Sequence, residues 1–182
     1  MNAADRVDDK LIANFLKSLD PAQVGAALSK LFAASVGDMV VVLSRSPAHK
    51  HYSLADIEWM VLPPASIGQF YVAEAADKER GFRAPIAVVT WAFVSEDVDA
   101  RLQQAAGQWI RLRPDEWKSG DNAWLIDAAG DAAGVQAAMQ WLAAGPFKER
   151  PLKMTVRGAD GAAGVTTLAA LLAERAEAAS AG

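Results

Sequence analysis

Apolar side chains recur at helical spacing in two stretches of the first 35 residues. In the first stretch, residues 11–19 place leucine, isoleucine and phenylalanine on one face. The second begins at Asp20 and Pro21, an N-cap and first-turn pair, with Gln23 completing a capping box and an apolar stripe over residues 24–32. The pattern predicts a helical hairpin that covers a core or the other subunit of a homodimer, with a dedicated partner-binding arm as the alternative.

The rest of the chain alternates between the period of two typical of strands and the period of 3.6 typical of helices. The pattern predicts, in order, a strand over 39–43, a helix over 54–62 ended by Pro63 and Pro64, strands over 67–73 and 85–94, a helix over 95–106, strands over 109–112 and 123–127, a helix over 132–144, a strand over 152–156 and a helix over 166–178. This order favours an α+β fold in which helices pack on a mainly antiparallel sheet. We predict an amino-terminal helical extension over residues 1–36 and one domain over residues 37–182.

Composition and charge narrow the class of protein. The 182 residues are 52% hydrophobic and 22% charged, which is ordinary for a globular domain and excludes collagen-like, coiled-coil and disordered chains. A formal net charge of −4 argues against a nucleic-acid-binding protein. The acidic amino terminus does not resemble a secretory signal, and the uncharged run over residues 132–147 is shorter than the ~20 residues of a membrane helix. We therefore expect a cytoplasmic protein without a membrane span.

Reactive side chains are concentrated between residues 44 and 52. The chain has no cysteine and two histidines, so thiol chemistry is excluded and imidazole chemistry falls on His49 or His51. No third ligand stands at a spacing typical of metal sites, so we predict no metal centre. The alternative interpretation is two surface histidines without a chemical role.

A second polar cluster lies between residues 115 and 127. Its Ser119-Gly120-Asp121-Asn122 segment is typical of a turn. In the functional interpretation, Asp121 orients His49 and compensates its positive charge. The six tryptophans are typical of a core, although a groove for an aliphatic chain would use the same residues.

Read in order, four segments resemble the toxin-activating lysine acyltransferases, which acylate internal lysines of RTX toxin precursors. They are Ser46-Pro47-Ala48-His49-Lys50, the segment from Leu62 to Tyr71, the segment from Ala84 to Ala92, and the segment from Glu116 to Asp127. They lie within a stretch from about residue 37 to residue 127, which is about half the chain, and their order makes the series more specific than any one segment.

The resemblance implies a fold, a reaction and a set of site residues. It implies a GNAT-like domain with a helix, in place of the strand, over residues 39–43. By position in the motifs, His49 would be the general base, Asp121 the essential aspartate and Ser46 a supporting residue. The reaction would move a fatty acyl group from acyl carrier protein to an internal lysine of an RTX-type protoxin, with no bound cofactor.

Two further expectations concern the donor. Because carrier proteins are acidic, the donor would dock on a basic patch made either of Arg111, Arg113 and Lys118 or of Lys148, Arg150 and Lys153. The Gly-rich segment over residues 157–164 does not match the pyrophosphate-binding turn of coenzyme A-dependent GNAT enzymes. A GNAT enzyme using acyl-coenzyme A and a non-catalytic adaptor on the same fold remain the alternatives.

Overall fold

The structure is a computed structural model that describes residues 20–77, 81–108, 110–158 and 161–180. The chain divides into two compact units, residues 1–34 and residues 35–182. The first helix, α1 (Pro21–Arg45), begins in the first unit and ends in the second. The helix expected over residues 11–19 lies outside the described residues, and the domain boundary at residue 36 stays a prediction.

Helix α1 begins where the sequence predicts and ends later than propensity alone suggests. Asp20 Oδ1 accepts a hydrogen bond of 3.1 Å from the backbone N–H of Ala22, which confirms the N-cap. Met39, Val42 and Leu43 are buried at helical spacing in its last turns. The helix that the family resemblance implies over residues 39–43 is therefore confirmed, and the strand that propensity alone favours is wrong, because packing of one helical face overrides the β-propensity of the valines.

By length and composition alone, α1 could cross a membrane, and it is the one such helix in the part of the chain that the structure describes. A single apolar helix near the amino terminus is weak evidence for a span, so the location of the protein stays a prediction.

Two short helices follow the turn after α1. Helix α2 (Leu54–Met60) begins at a capping box formed by Ser53 and Asp56. Helix α3 (Leu62–Ile67) has its prolines in the first turn. The helix predicted over residues 54–62 thus ends at Met60, ahead of the two prolines, as expected. The sequence analysis did not predict that the same pair opens α3, where the missing N–H of a proline costs nothing in the first turn.

Five strands form one sheet in the order β1-β2-β3-β4-β5. The elements after α3 are β1 (Phe70–Asp77), β2 (Phe82–Val94), α4 (Glu96–Gln104), a 3₁₀ turn (Pro114–Trp117), β3 (Asn122–Gly130), α5 (Ala132–Ala144), β4 (Leu152–Arg157), β5 (Ala163–Thr167) and α6 (Leu168–Ser180). Neighbouring strands are antiparallel except β3 and β4, which are parallel and are joined by α5. The α+β fold with a mainly antiparallel sheet is confirmed.

Two local predictions are wrong. Residues 110–112 form no strand, and Thr166 and Thr167, expected to begin the last helix, belong to β5, with α6 starting at Leu168. Residues 163–167 alternate weakly and contain a glycine, so their strand arises from pairing with β4.

The sheet carries a different helix layer on each face. On one face, Val88 of β2 and Ala129 of β3 pack with α1 and α2. On the other, Val89 of β2 packs with Ala138 and Leu142 of α5 and with Leu168 of α6. Strands β3 and β4 share only two Cα pairs, Ala123 with Leu152 and Trp124 with Lys153. Beyond these pairs the strands separate, and this opening holds the candidate site.

Candidate active site

The turn after α1 brings Ser46 and His49 together. The backbone N–H groups of His49 and Lys50 donate to Ser46 O at 3.0 and 2.9 Å, so the chain folds back within one turn. Ser46 and His49 are 8% and 7% exposed. Ser46 Oγ lies 2.8 Å from His49 Nδ1. The structure thus places the predicted base and its predicted supporting serine in direct contact.

The carboxylate that meets the imidazole belongs to Asp127. Asp127 Oδ2 lies 2.9 Å from His49 Nε2, and the side chain of Asp127 is 23% exposed. Its Oδ1 accepts a 2.8 Å hydrogen bond from the backbone N–H of Ala128. An ionised carboxylate can only accept, so Nε2 carries the hydrogen. In the neutral ring, Nδ1 is then the basic nitrogen, and it faces the Ser46 hydroxyl.

Asp121, the aspartate that the sequence analysis paired with His49, does not make this contact. Its side chain is fully exposed, and its Oδ1 lies 3.2 Å from Arg150 Nη2. The expected contact is therefore corrected from Asp121 to Asp127, because Asp121 belongs to the turn before β3 whereas Asp127 lies within the strand. A catalytic role for Asp121 stays an untested prediction.

A β-bulge puts Asp127 on the histidine side of the sheet. The β2–β3 register pairs Thr90 with Asp127 but Trp91 with Leu125, so Ile126 is the extra residue. If the side chains of β3 alternated regularly from Trp124 onward, Ile126 and Ala128 would lie on the histidine side of the sheet and Asp127 on the opposite side. The bulge restores Asp127 to the face that Thr90 occupies, next to the turn that carries His49.

The Ser119-Gly120-Asp121 segment has a structural explanation. Ser119 Oγ accepts a 2.9 Å hydrogen bond from the backbone N–H of Ser95 and donates to Glu116 O at 3.0 Å. A Cβ on Gly120 would lie 2.6 Å from Val94 O and 2.7 Å from Ser95 Cα, so a side chain does not fit there. These contacts fix the start of β3 against the end of β2.

An aromatic ring, that of Tyr52, contacts the histidine. The Tyr52 ring meets the His49 ring edge-on, with centroids 5.5 Å apart. Burial raises the pKa of Tyr52, and the charges of Asp127 and Asp56 raise that pKa further. The phenol therefore keeps its proton at neutral pH beside the His49–Asp127 pair.

A cleft of about 450 Å³ lies between β3 and β4, and Asp127 is part of its wall. Its walls are mainly apolar and include three of the six tryptophans, Trp59, Trp117 and Trp124. Met139 and Met154 add flexible apolar surface. This volume and lining are typical of a site for a small molecule or an acyl chain.

A smaller pocket of about 190 Å³ adjoins the imidazole. His49 lines it together with Leu43, Tyr52 and Ile57. The imidazole and the carboxylate thus face different spaces although they contact each other.

The candidate docking residues differ in how far their charges are already neutralised. Arg113 lies 3.2 Å from Glu116 and 3.5 Å from Asp115, and Lys153 lies 2.6 Å from Asp99. A further arginine, Arg150, is paired with Asp121, as described above. Arg111, Lys118 and Lys148 are exposed. Arg111 stands over the Trp59 ring at 5.0 Å, at the edge of the large cleft.

The metal prediction concerns the same region. Within the four described ranges, no group of three or more histidine, aspartate or glutamate side chains could hold a metal ion. His51 is exposed in the turn after His49.

Comparisons with known proteins match the chain to one family. A profile of the RTX toxin acyltransferase family matches residues 30–167. The chain is 30% identical over 90 residues to the lysine-acyltransferase RtxC of Vibrio cholerae serotype O1, covering 50% of this chain and 54% of that protein. It is 27% identical over 92 residues to the leukotoxin-activating lysine-acyltransferase LktC of a Pasteurella haemolytica-like species, covering 50% of each. The matched segment spans about half the length of these relatives.

Proposed function

The chain belongs to the RTX toxin acyltransferase family, and from this premise we propose that it transfers a fatty acyl group to the side-chain amine of a lysine in an RTX-type protoxin. The observation that carries the proposal is the Ser46–His49–Asp127 contact beside a large apolar cleft. The names of the two relatives, both lysine-acyltransferases, support the same reaction class.

In the proposed reaction, the imidazole of His49 removes the proton that keeps the lysine amine from attacking. A lysine ammonium has a reference pKa of ~10.4, so it needs a base before it becomes a nucleophile. The proton reaches His49 Nδ1 by way of the Ser46 hydroxyl, 2.8 Å away. Asp127 holds the ring tautomer and compensates the imidazolium charge, as a triad aspartate does.

The bond changes balance without any group held on the protein. The lysine nitrogen attacks the thioester carbonyl carbon, the C–N bond forms, and the C–S bond breaks as the tetrahedral intermediate collapses. The leaving thiolate takes a proton from the imidazolium, which returns His49 to its starting state, and the second proton that the attacking nitrogen loses in becoming an amide passes to solvent. Direct transfer is favoured because the chain has no cysteine to carry an acyl group.

The two spaces beside the pair suit the two substrates. The 450 Å³ cleft would hold the donor's thioester arm and acyl chain against Asp127. The 190 Å³ pocket, lined by His49 and Tyr52, would admit the slender lysine side chain. Two separate approaches allow both substrates to be bound when the amine attacks, as direct transfer requires.

We propose acyl carrier protein as the donor and a GNAT-like arrangement of the sheet. The separating parallel strands β3 and β4 supply an opening for an extended thioester arm. In the glycine-rich turn after β4, the N–H of Gly158 donates to Ala162 O at 2.8 Å and that of Gly161 donates to Gly158 O at 2.9 Å. These N–H groups are already used, which argues against a pyrophosphate of coenzyme A on this turn.

The proposed docking site for the carrier is the edge of the cleft at Arg111. Of the two basic sets, the one containing Arg111 and Lys118 includes the residue next to the cleft wall. Arg150 and Lys153 of the other set have carboxylate partners, so their charges attract an acidic carrier less.

The test is acylation of a protoxin fragment that contains the target lysine, followed by intact mass. We expect a fatty-acyl mass increment with acyl carrier protein as donor, little or none with acyl-coenzyme A, and a rate ~10²–10⁴-fold lower for His49→Ala. His51→Ala, two residues away and exposed, is the matched control and keeps the wild-type rate. Equal rates for wild type and His49→Ala would exclude His49 as the base.

A further inference from the structure

Two buried polar atoms lack a hydrogen-bond partner within the described residues, and both belong to the wall of the large cleft. They are Thr90 Oγ1 and Trp117 Nε1. Thr90 is 4% exposed and Trp117 is 2% exposed, so bulk water does not satisfy either group. An unsatisfied buried polar atom destabilises the fold, and in a native protein it calls for an explanation.

Thr90 stands beside the proposed catalytic pair. It is the cross-strand partner of Asp127 at the bulge, so the two side chains share one face of the sheet. Directly opposed residues of antiparallel strands have Cα atoms about 4.5–5.5 Å apart. The two residues that follow Thr90 on this face of β2, Ala92 and Val94, are both apolar. Thr90 is therefore an isolated hydroxyl among apolar neighbours at the level of the reacting groups.

The chemistry of the two groups limits what can satisfy them. An indole N–H only donates, whereas a threonine hydroxyl donates and accepts. Asp127, the cross-strand partner of Thr90, accepts from His49 and from Ala128 N–H but makes no hydrogen bond with the Thr90 hydroxyl. A ligand that enters the cleft and satisfies both groups must therefore present hydrogen-bond acceptors. A carbonyl oxygen is such an acceptor and fits an otherwise apolar cleft.

We propose that Thr90 and Trp117 bind carbonyl oxygens of the acyl donor, with the Thr90 hydroxyl donating to the reacting thioester carbonyl. This inference deepens the proposed function and rests on it. As the lysine nitrogen attacks and the C–S bond weakens, negative charge develops on that oxygen. The hydroxyl keeps its proton throughout and stabilises the charge by a hydrogen bond. The Trp117 N–H holds a carbonyl oxygen further along the donor's arm.

The test compares Thr90→Val, which removes the hydroxyl at nearly constant shape, with Thr90→Ser, which retains it. Loss of one such donor lowers kcat by about 10²–10³-fold in other acyl-transfer sites, so we expect kcat of Thr90→Val to fall by about 10²-fold. Thr90→Ser should stay within about tenfold of wild type. The melting temperature of Thr90→Val should be unchanged or higher, because an unpaired hydroxyl is replaced by a methyl group. If the hydroxyl had only a structural role, Thr90→Val would lower kcat and the melting temperature together.

The control is Thr166→Val, the same substitution in β5 and outside the cleft wall. It should keep the wild-type kcat. If Thr90→Val also keeps the wild-type kcat while the wild type acylates lysine, the inference is wrong and the proposed function stands. In that case the hydroxyl is satisfied by a buried water molecule only.

A binding measurement separates failure of the inference from failure of the proposed function. The probes are an acyl-pantetheine amide, which has the carbonyl, and the matching thioether, which lacks it. Wild type should bind the amide more tightly, and Thr90→Val and Trp117→Phe should each reduce the preference. If the preference and its loss are seen but no acyl-lysine forms, the carbonyl site stands and the proposed reaction is wrong. If wild type binds both probes equally, the carbonyl site is overturned.

Discussion

The two ring nitrogens of His49 have different partners, and this difference defines what each neighbour does. Nε2 is held by Asp127 at 2.9 Å and Nδ1 faces Ser46 at 2.8 Å. A buried, uncompensated imidazolium would be costly, so the carboxylate is the partner that makes proton uptake feasible. Ser46 is neutral and cannot compensate the charge. Removal of the Asp127 carboxylate should therefore reduce activity more than removal of the Ser46 hydroxyl.

Ser46→Ala should lower kcat for acyl-lysine formation by about tenfold, the equivalent of one neutral hydrogen bond. A water molecule can take the place of the hydroxyl in the proton path, so the loss should be much smaller than that of His49→Ala. No acyl-enzyme should accumulate on wild-type protein mixed with donor alone, as followed by intact mass. A stable acyl adduct on Ser46 would instead make the serine a nucleophile and contradict direct transfer.

The sequence contains a signal for Asp127 that pattern reading passed over. Asp127 is the one charged residue in the strand Asn122–Gly130, between Ile126 and Ala128. A lone carboxylate in a half-buried strand requires a partner, whereas Asp121 in a glycine turn requires none. His49 and Ser46 were predictable because they share one short segment. The histidine–aspartate contact was not, because it depends on a bulge that adds one residue to β3.

At the scale of elements, predictions succeeded where local periodicity and capping agree. The bounds of α5, Ala132–Ala144, are those predicted, since an Asp131 cap and a uniform apolar spacing act together. Predictions from local pattern failed over residues 39–43 and at residues 166–167, where tertiary packing or strand pairing decides between helix and strand. The opening between β3 and β4 also depends on tertiary contacts, and no local pattern encodes it.

The 3₁₀ turn that carries Trp117 is fixed by the buried carboxylate of Glu116. Arg101 of α4 donates to both Glu116 oxygens, at 3.0 and 2.7 Å, and the Arg113 N–H donates at 2.9 Å. The hydrogen bond from Arg101 lowers the pKa of Glu116, and this effect together with Arg113 outweighs the opposing effect of burial. The turn should therefore depend on the ionised carboxylate.

Glu116→Gln should lower the free energy of unfolding at pH 7 by about 2 kcal/mol, as expected for charge-assisted hydrogen bonds. Because the folded pKa is depressed, this stabilisation is complete above the unfolded pKa of ~4.3 and is lost as pH falls through the folded pKa. Urea unfolding between pH 7 and pH 2.5 should therefore show the two proteins converging at low pH.

Asp115→Asn is the control for that measurement, since the side chain of Asp115 is 74% exposed and its carboxylate lies 3.5 Å from Arg113. Exposed pairs contribute about 0–1 kcal/mol, so its effect should be small at every pH. If the free energy of unfolding of Glu116→Gln stays below that of the wild type by the same amount down to pH 2.5, the charge of the carboxylate is not the cause of the difference.

At the scale of the whole molecule, a protein with net charge −4 is proposed to bind an acidic carrier. Long-range attraction is then weak, and association depends on a local patch. The patch at Arg111 lies beside the cleft, whereas several other basic groups are bound to carboxylates. In the proposed function, docking at this patch would bring the donor's thioester arm to the cleft edge.

Charge reversal at Arg111 and Lys118 should weaken carrier association by about tenfold and flatten its dependence on salt, as measured by titration at several ionic strengths. Reversal at Lys30 together with Arg175, both exposed and outside the two basic sets, is the control with the same change in net charge. Equal weakening by both pairs would indicate a general charge effect and would remove this patch as the docking site.

The central claim is that Asp127, and not Asp121, works with His49. The most direct measurement is the rate of acyl-lysine formation by Asp127→Asn and Asp121→Asn under identical conditions. An amide at position 127 cannot compensate the imidazolium or hold the same tautomer, so we predict a loss of ~10²–10⁴-fold. Asp121→Asn changes a fully exposed side chain and should stay within about threefold of wild type. A large loss for Asp121→Asn with a near-normal rate for Asp127→Asn would contradict the account.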